Sequence, residues 1–434
     1  MSPLSIVICI IGLGLLAAAH EIGHFVVARR LGIKVEELSI FVGPSLVSWT
    51  RKGVVYHIRL IPFGAYVRFP GIEDEDGGES NPDSYFKQPR WKRLIVSLGG
   101  PVTNFLLGII IFAVMFSTTG FFSVNLDTVY PGTQIAETQA VKGDVIQAIN
   151  GHTILTDLDL NYAMSTIPNT DPIHMTLRSQ TSGQSYDIVL QPVITSQYYL
   201  GITRMNDLDE YGGWDIVEVN PAQNDGNPVF KVGDSLLSVN GVSITDPGFV
   251  ELIAYSDGKE LTAHIVRDGV EQDITLTTIP IETVNDRGIY IQLGEGFLPM
   301  IRQSVLYSVS LIKVSVFTIR DMVTGRIAAK DTLTGPVGIA NIVSDVVDEP
   351  STDSGEKIVN LGLIAGLISV GLAFSNMLPL PGLDGNAMVM LIVEMIRGKK
   401  ISLKTERVIN VLGFVFLIAL TIYVLTIDIM RLVG

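Results

Sequence analysis

Two histidines four residues apart, with a glutamate beside the first, close the first apolar run of this chain: His20-Glu21-Ile22-Gly23-His24. On a helix that spacing puts both imidazoles on one face, where they can take two corners of a tetrahedral zinc, with Glu21 projecting beside the metal-bound water. The chemistry such a set supports is metal-assisted hydrolysis, the carboxylate taking the proton of the water. A third protein ligand is needed, and His57, His152, His174 and His264 fall in loops or in the polar middle of the chain. The candidate is Asp384, in Asn376-Met377-Leu378-Pro379-Leu380-Pro381-Gly382-Leu383-Asp384-Gly385. Pro379 and Pro381 interrupt an apolar helix there, and non-helical backbone at membrane depth is tolerated only where it is buried in protein or lines a cavity. Taken alone, the segment also fits a helix-ending turn with Asp384 in water, and the histidine pair also fits structural residues at a membrane interface.

These residues must be positioned by membrane helices. The chain has 434 residues, 47% of them hydrophobic and 17% charged, with a mean hydropathy of +0.41, which excludes an ordinary soluble enzyme. Four stretches, 4–28, 94–116, 361–380 and 408–427, have the length and apolarity to cross a bilayer. The first could also be read as a removable leader, but it lacks a leading Lys or Arg and runs on past Ala17-Ala18-Ala19, so a retained span is expected. A fifth stretch, 303–319, contains Lys313 and fits a helix lying along the outer membrane surface. The segment 118–358 holds 31 Asp plus Glu against 13 Lys plus Arg, while the loops joining the first two and the last two spans are basic. The positive-inside rule then puts both short loops in the cytoplasm and the long acidic segment outside. A net charge of -14 excludes nucleic acid as a partner, and the single cysteine, Cys9, excludes an internal disulfide or a cysteine metal cluster.

An internal repeat fills the outside segment: Lys142-Gly143-Asp144-Val145-Ile146-Gln147-Ala148-Ile149-Asn150-Gly151 recurs as Val232-Gly233-Asp234-Ser235-Leu236-Leu237-Ser238-Val239-Asn240-Gly241. Each copy reads as a Gly-Asp turn feeding an alternating strand that ends in an Asn-Gly hairpin turn. The pair resembles tandem PDZ domains of the circularly permuted bacterial kind. That resemblance implies a peptide site beside Leu200-Gly201-Ile202, where a peptide adds as a strand.

His20-Glu21-Ile22-Gly23-His24 and the Asn-x-x-Pro-x-Pro-x-Leu-Asp-Gly segment together resemble the two signatures of the site-2 protease family of intramembrane zinc metalloproteases. Gly100-Pro101-Val102-Thr103-Asn104 and Leu333-Thr334-Gly335-Pro336-Val337-Gly338-Ile339-Ala340 match further, so the likeness spans almost the whole chain. One departure is Asn386, where the family usually has a second glycine. The resemblance implies Zn2+ held by His20, His24 and Asp384, Glu21 as general base, and Asn376 holding the substrate backbone or the developing oxyanion, with Pro379 and Pro381 in the same substrate-binding segment. The stretch 53–69, with Pro62 and Gly64 as punctuation and Tyr66 beyond, matches the family's membrane re-entrant β-loop, an edge on which an unwound substrate can pair.

The fold expected is a polytopic α-helical membrane protein with four transmembrane helices, a re-entrant β-hairpin and two periplasmic β-rich PDZ domains. The expected divisions are a catalytic membrane part at 1–120, PDZ domains at 121–203 and 204–282, a periplasmic connector with a membrane-surface helix at 283–358, and a second catalytic membrane part at 359–434. The family implies a bacterial inner-membrane location and an active site near the cytoplasmic side. It also implies single-pass membrane proteins as substrates, such as an anti-sigma factor already clipped outside, together with remnant signal peptides. A membrane-tethered PDZ scaffold with a non-catalytic metal site is the alternative, and Glu21 discriminates, since a structural site has no use for it. A transporter with discontinuous helices is a third reading, but the four spans show no repeat.

Overall fold

The computed structural model describes every residue except 1, 73–79, 169, 193, 285, 286, 351 and 434. The chain divides into two compact units, one formed by Met1–Val124, His152–Ala163 and Ile291–Gly434, the other by Asn125–Gly151 and Met164–Tyr290.

The first unit starts with α1 (Pro3–Arg30), opened by Ser2, whose hydroxyl accepts the Ser5 N–H, and by Pro3 in the first turn. It stops where Gly32 turns into the left-handed region at φ +73°, with Arg29 and Arg30 at the negative end of the helix dipole. Strands β1 (Glu37–Arg51) and β2 (Val54–Arg68) follow, joined at Lys52-Gly53, both with positive φ. Each strand is bent and pairs twice. Residues 37–40 lie between 55–58 and 65–68, and 47–51 pair with the far side of 54–58. The result is a curled sheet of four short ribbons with 65–68 on one edge. Its bend packs on α1 at Gly14, where an added Cβ would stand 2.4 Å from the Pro62 carbonyl oxygen.

Helix α2 (Arg90–Thr119) crosses α1 at two glycines, since a Cβ on Gly23 would come within 2.3 Å of the Gly99 carbonyl oxygen. The second unit begins in β3 (Phe121–Leu126), which meets β4 (Val145–Ile149) through Asn125 and Val145. After the short strand β5 (His152–Thr153) and helix α3 (Asp157–Ser165), β6 (Ile173–Arg178) pairs with β4 and with β7 (Ser185–Leu190). Strand β8 (Ile194–Tyr199) then leads to the second copy: β9 (Ile202–Leu208), β10 (Trp214–Val219), α4 (Gln223–Gly226), β11 (Ser235–Val239), β12 (Val242–Ser243), α5 (Phe249–Ala254), β13 (Glu260–Arg267) and β14 (Val270–Thr277). The long strands of this copy run in the order β14-β13-β11-β10-β9, over a core that includes Ile216, Leu236, Val239, Ile265 and Leu276. Strand β15 (Ile279–Val284) returns to β8.

The repeated residues do the same work twice. Asp144 accepts the Val141 N–H and Asp234 the Lys231 N–H, at 3.1 and 2.7 Å, each closing its Gly-Asp turn from a buried position. Asn150 and Asn240 both sit at positive φ, and each side-chain oxygen accepts a backbone N–H from the neighbouring strand at 2.8 Å, from His174 and Thr262.

Returning to the first unit, β16 (Ile291–Gly294) lies beside the start of β3, where Ser123 Oγ donates to the Gln292 carbonyl. Helix α6 (Phe297–Val323) packs Tyr307 edge-on against Phe112 and Phe116 of α2. Its polar residues meet α3: Lys313 pairs with Asp159 at 2.7 Å, and Tyr162 donates to Asp321 at 2.5 Å. Burial and that carboxylate push the Tyr162 hydroxyl up to about 12, and the same bond, with Arg320, holds Asp321 below the usual carboxylate range. Lys313, the charge within the apolar stretch 303–319, therefore has a carboxylate partner.

After α7 (Ala329–Thr332) comes α8 (Pro336–Asp348), whose N-terminal Gly335 and Gly338 N–H groups are accepted by Asp428 at 3.0 and 2.9 Å. Helix α9 (Ser354–Met377), capped by Asp353, fits small residues against α2: a Cβ on Gly108 would touch Val370, and one on Gly366 would touch Phe112. It ends because Leu378 precedes Pro379. Helices α10 (Asp384–Arg397) and α11 (Leu403–Val433) complete the chain. Among the described residues, four helices are long and apolar enough to cross a membrane, at Pro3–Arg30, Arg90–Thr119, Ser354–Met377 and Val408–Arg431, and the protein is a polytopic membrane protein with β-rich regions.

Candidate metal centre

The histidines stand one turn apart on α1, both 8% exposed, their rings edge to face with centroids 4.8 Å apart. Asp384 reaches them from the first turn of α10. The fold-back that brings it there depends on Gly385, where a Cβ would lie 2.2 Å from the Leu378 carbonyl oxygen and 2.4 Å from that of Met377. His20 Nε2 and Asp384 Oδ2 are 2.9 Å apart, His24 Nε2 and Asp384 Oδ2 3.2 Å, and the two Nε2 atoms 3.1 Å. A zinc about 2.0–2.1 Å from each nitrogen and oxygen of a tetrahedral site would hold them about 3.3 Å apart. The triangle thus approximates one face of that tetrahedron, and two imidazoles plus a carboxylate are donors that suit zinc. Helix α2 leaves room for it: a Cβ on Gly100 would lie 2.4 Å from both Nε2 atoms.

His24 Nδ1 lies 2.7 Å from the Val96 carbonyl oxygen, to which only a protonated Nδ1 can donate; in the neutral ring this leaves Nε2 with its lone pair facing the cluster. Glu21, His20 and His24 place their ligand atoms within 4.8 Å of one another, and Glu21 Oε2 accepts the Val67 N–H of the edge ribbon at 3.1 Å. The structure brings these four side chains together.

The other expected residues have varied surroundings. Asn376 donates to the Leu372 carbonyl at 3.0 Å within its own helix. Pro381 packs on α11 at Gly413, and Asn386 bridges to Asn410 at 3.3 Å without disturbing the helix. Gly64 takes φ +75° at the bend of β2, where its nearest neighbour is Val42, and Tyr66 donates to Glu37 at 2.6 Å. In the second unit, the Leu200 carbonyl accepts from Gln223 at 2.6 Å, Gly201 has φ +70°, and Ile202 opens β9. Leu200 and Ile202 line a cavity of about 310 Å³ with Trp214, Phe249 and Ile253, and Arg204 lies 4.0 Å over the Trp214 ring. Sequence reasoning met Gly100 only as part of a motif and passed over Val96 and the bond made by Val67, because backbone groups and an absent side chain leave no chemical signature of their own.

Residues 8–420 match the model of peptidase family M50. The chain belongs to that family. It is a metalloprotease of the site-2 type, and zinc is the metal of the family. Similar relatives include the zinc metalloprotease RasP of Oceanobacillus iheyensis, 28% identical with 99% of each chain covered. The regulator of sigma-W protease RasP of Bacillus subtilis is 26% identical, with 99% of each chain covered. The regulator of sigma E protease of Haemophilus influenzae is 25% identical, with 98% of each chain covered.

Proposed function

We propose that this protease cuts the transmembrane segments of single-pass membrane proteins, including anti-sigma factors and remnant signal peptides, at a zinc held by His20, His24 and Asp384. The observation that carries this reading is the convergence of His20 Nε2, His24 Nε2 and Asp384 Oδ2 beside the Glu21 carboxylate. Zinc bound there supplies a Lewis acid that polarises a peptide carbonyl and makes water acidic enough to lose a proton near neutral pH. Glu21 takes that proton on its carboxylate and returns it to the leaving amide nitrogen, held meanwhile by the Val67 N–H. Asn376 turns from the Leu372 carbonyl to hold the substrate backbone or the oxyanion, in a segment kept non-helical by Pro379 and Pro381.

A helical substrate hides its peptide bonds, so it must be unwound and held extended. The edge ribbon 65–68, between Gly64 and the catalytic face of α1, suits that task by strand addition, with Tyr66 on the same ribbon. A re-entrant hairpin is supported by the contact of its bend with Gly14, mid-way along α1, and by the exposed apolar Leu46, Leu60, Ile61 and Phe63. The topology has both short basic loops inside and the repeats in the periplasm of a bacterial inner membrane. Its support is that α1 and α9 bring their C-terminal ends to one point, which leaves no crossing for α6. The two repeats act as PDZ domains, at 121–203 and 204–282, between membrane parts 1–120 and 359–434 and a connector at 283–358. They exclude substrates with bulky external portions, and the cavity beside Leu200, Gly201 and Ile202 takes an extended peptide.

The test is Glu21→Gln in purified protein with a tagged single-pass substrate in detergent. The variant should keep one zinc per chain and lose cleavage, and wild-type cleavage by it would overturn the mechanism.

A further inference from the structure

Both histidines face the same demand: a neutral imidazole that binds metal through Nε2 must carry its proton on Nδ1, and that proton needs an acceptor. For His24 the Val96 carbonyl meets it at 2.7 Å. For His20 the group opposite Nδ1 is the Asn104 side chain, with its amide nitrogen 3.4 Å away. That arrangement sets a donor against a donor. Asn104 is fully buried, and its Oδ1 has no hydrogen-bond partner among the described residues. Turning the amide end for end sets Oδ1 opposite the imidazole N–H and needs no new space, because its two ends are nearly the same size.

We infer that Asn104 is a positioning residue for the metal site, its Oδ1 accepting the His20 Nδ1–H and so fixing the ring with Nε2 toward the metal. Val96, Gly100 and Asn104 are spaced four apart on α2, a single stripe running antiparallel to His24 and His20. One face of α2 therefore orients both rings from behind, with a carbonyl at one end, an amide at the other and a glycine between them. Its backbone is anchored as well, since the Asn104 carbonyl accepts Ser369 Oγ of α9 at 2.8 Å.

The inference rests on His20 being a metal ligand. The test measures zinc affinity of the full-length protein in detergent by competition with a chelator. Asn104→Leu, which keeps the bulk and removes the acceptor, should weaken zinc binding about 10–100-fold, while Asn104→Asp, which keeps an acceptor oxygen, should bind at least as tightly as the wild type. Melting of the metal-free protein shows that zinc loss is read on folded protein: Asn104→Leu leaves His20 Nδ1 without a partner and should melt modestly lower than the wild type, but in the same single cooperative transition. If Asn104→Leu fails to fold, Asn104→Ala takes its place. Wild-type affinity in the Leu variant, or equal losses in the Leu and Asp variants, would overturn the inference. His20→Ala separates the two layers. If it keeps full zinc affinity, the ligand assignment itself fails; if it loses zinc while Asn104→Leu does not, the positioning role alone fails.

Discussion

Replacing Gly100 with alanine would add one methyl group at the back of the metal site. Its Cβ would fall 2.4 Å from His20 Nε2, 2.4 Å from His24 Nε2 and 2.6 Å from His20 Cε1. Ordinary contact lies near 3.5 Å, so both rings would have to retreat by about 1 Å. Retreat of α2 would instead pull apart the crossing one residue away, where the Gly99 and Gly23 backbones pack without room for a Cβ. A misplacement of about 1 Å at a reacting centre costs about 100-fold in rate, and disturbed ligand orientation about 10–100-fold in metal affinity. The helix itself gains from the change, since alanine is favoured over glycine by about 1 kcal/mol in a helix interior, so loss of folding is not the expected route. Gly100→Ala should therefore stay folded, bind zinc at least tenfold more weakly and lose about 100-fold in cleavage of a tagged single-pass substrate. Gly12→Ala, on α1 with open space around its Cβ position, is the control that should change neither quantity. A Gly100→Ala protein with wild-type zinc affinity and cleavage within threefold of wild type would refute the reasoning.

Asp428→Ala removes the shared acceptor of the Gly335 and Gly338 N–H groups. A hydrogen bond to a charged group contributes about 1.5–3 kcal/mol, so amide exchange at the start of α8 should accelerate at least tenfold; unchanged protection would count against the latch. His264 is held above the ordinary imidazole range by its bond to Asp273 at 2.7 Å, with Glu271 adding charge. Its stabilising contribution is complete below the ordinary value near 6.5 and is lost as pH rises through the folded one. The melting difference between wild type and His264→Gln should therefore shrink between pH 6 and pH 9, and a difference that grows would contradict it.

What the sequence revealed followed from periodicity. Positions 20 and 24 share a helix face by arithmetic, the broken helix before Asp384 announces its own exception, and the Gly-Asp and Asn-Gly turns repeat because each copy needs the same buried aspartate and left-handed asparagine. What it did not reveal depends on pairs of elements. Gly100 and Asn104 were visible as a motif, but the demand they meet lies on another helix. Lys313 is a charge in an apolar run, and only the placement of α3 against α6 provides Asp159. The strands of the hairpin read as two, since a bend that lets one strand pair on both edges leaves only single positive-φ residues such as Phe41 as its trace.

Helix α3 bears on how this protein can be taken apart. By position it belongs to the first repeat, yet most of it groups with the spans, through Asp159 on Lys313 and Tyr162 on Asp321. Excising 123–280 to ask whether the repeats exclude bulky substrates also strips α6 of those partners, and Asp321 is only 1% exposed. Asp321 would keep Arg320, but Lys313 would lose its carboxylate and a face of α6 built to be covered would meet water. The protein after such surgery is a damaged membrane unit as much as an ungated one. Changing Ile202 to arginine fills the cavity of the second repeat while α3 stays in place, and so separates selection of substrates from the integrity of the scaffold.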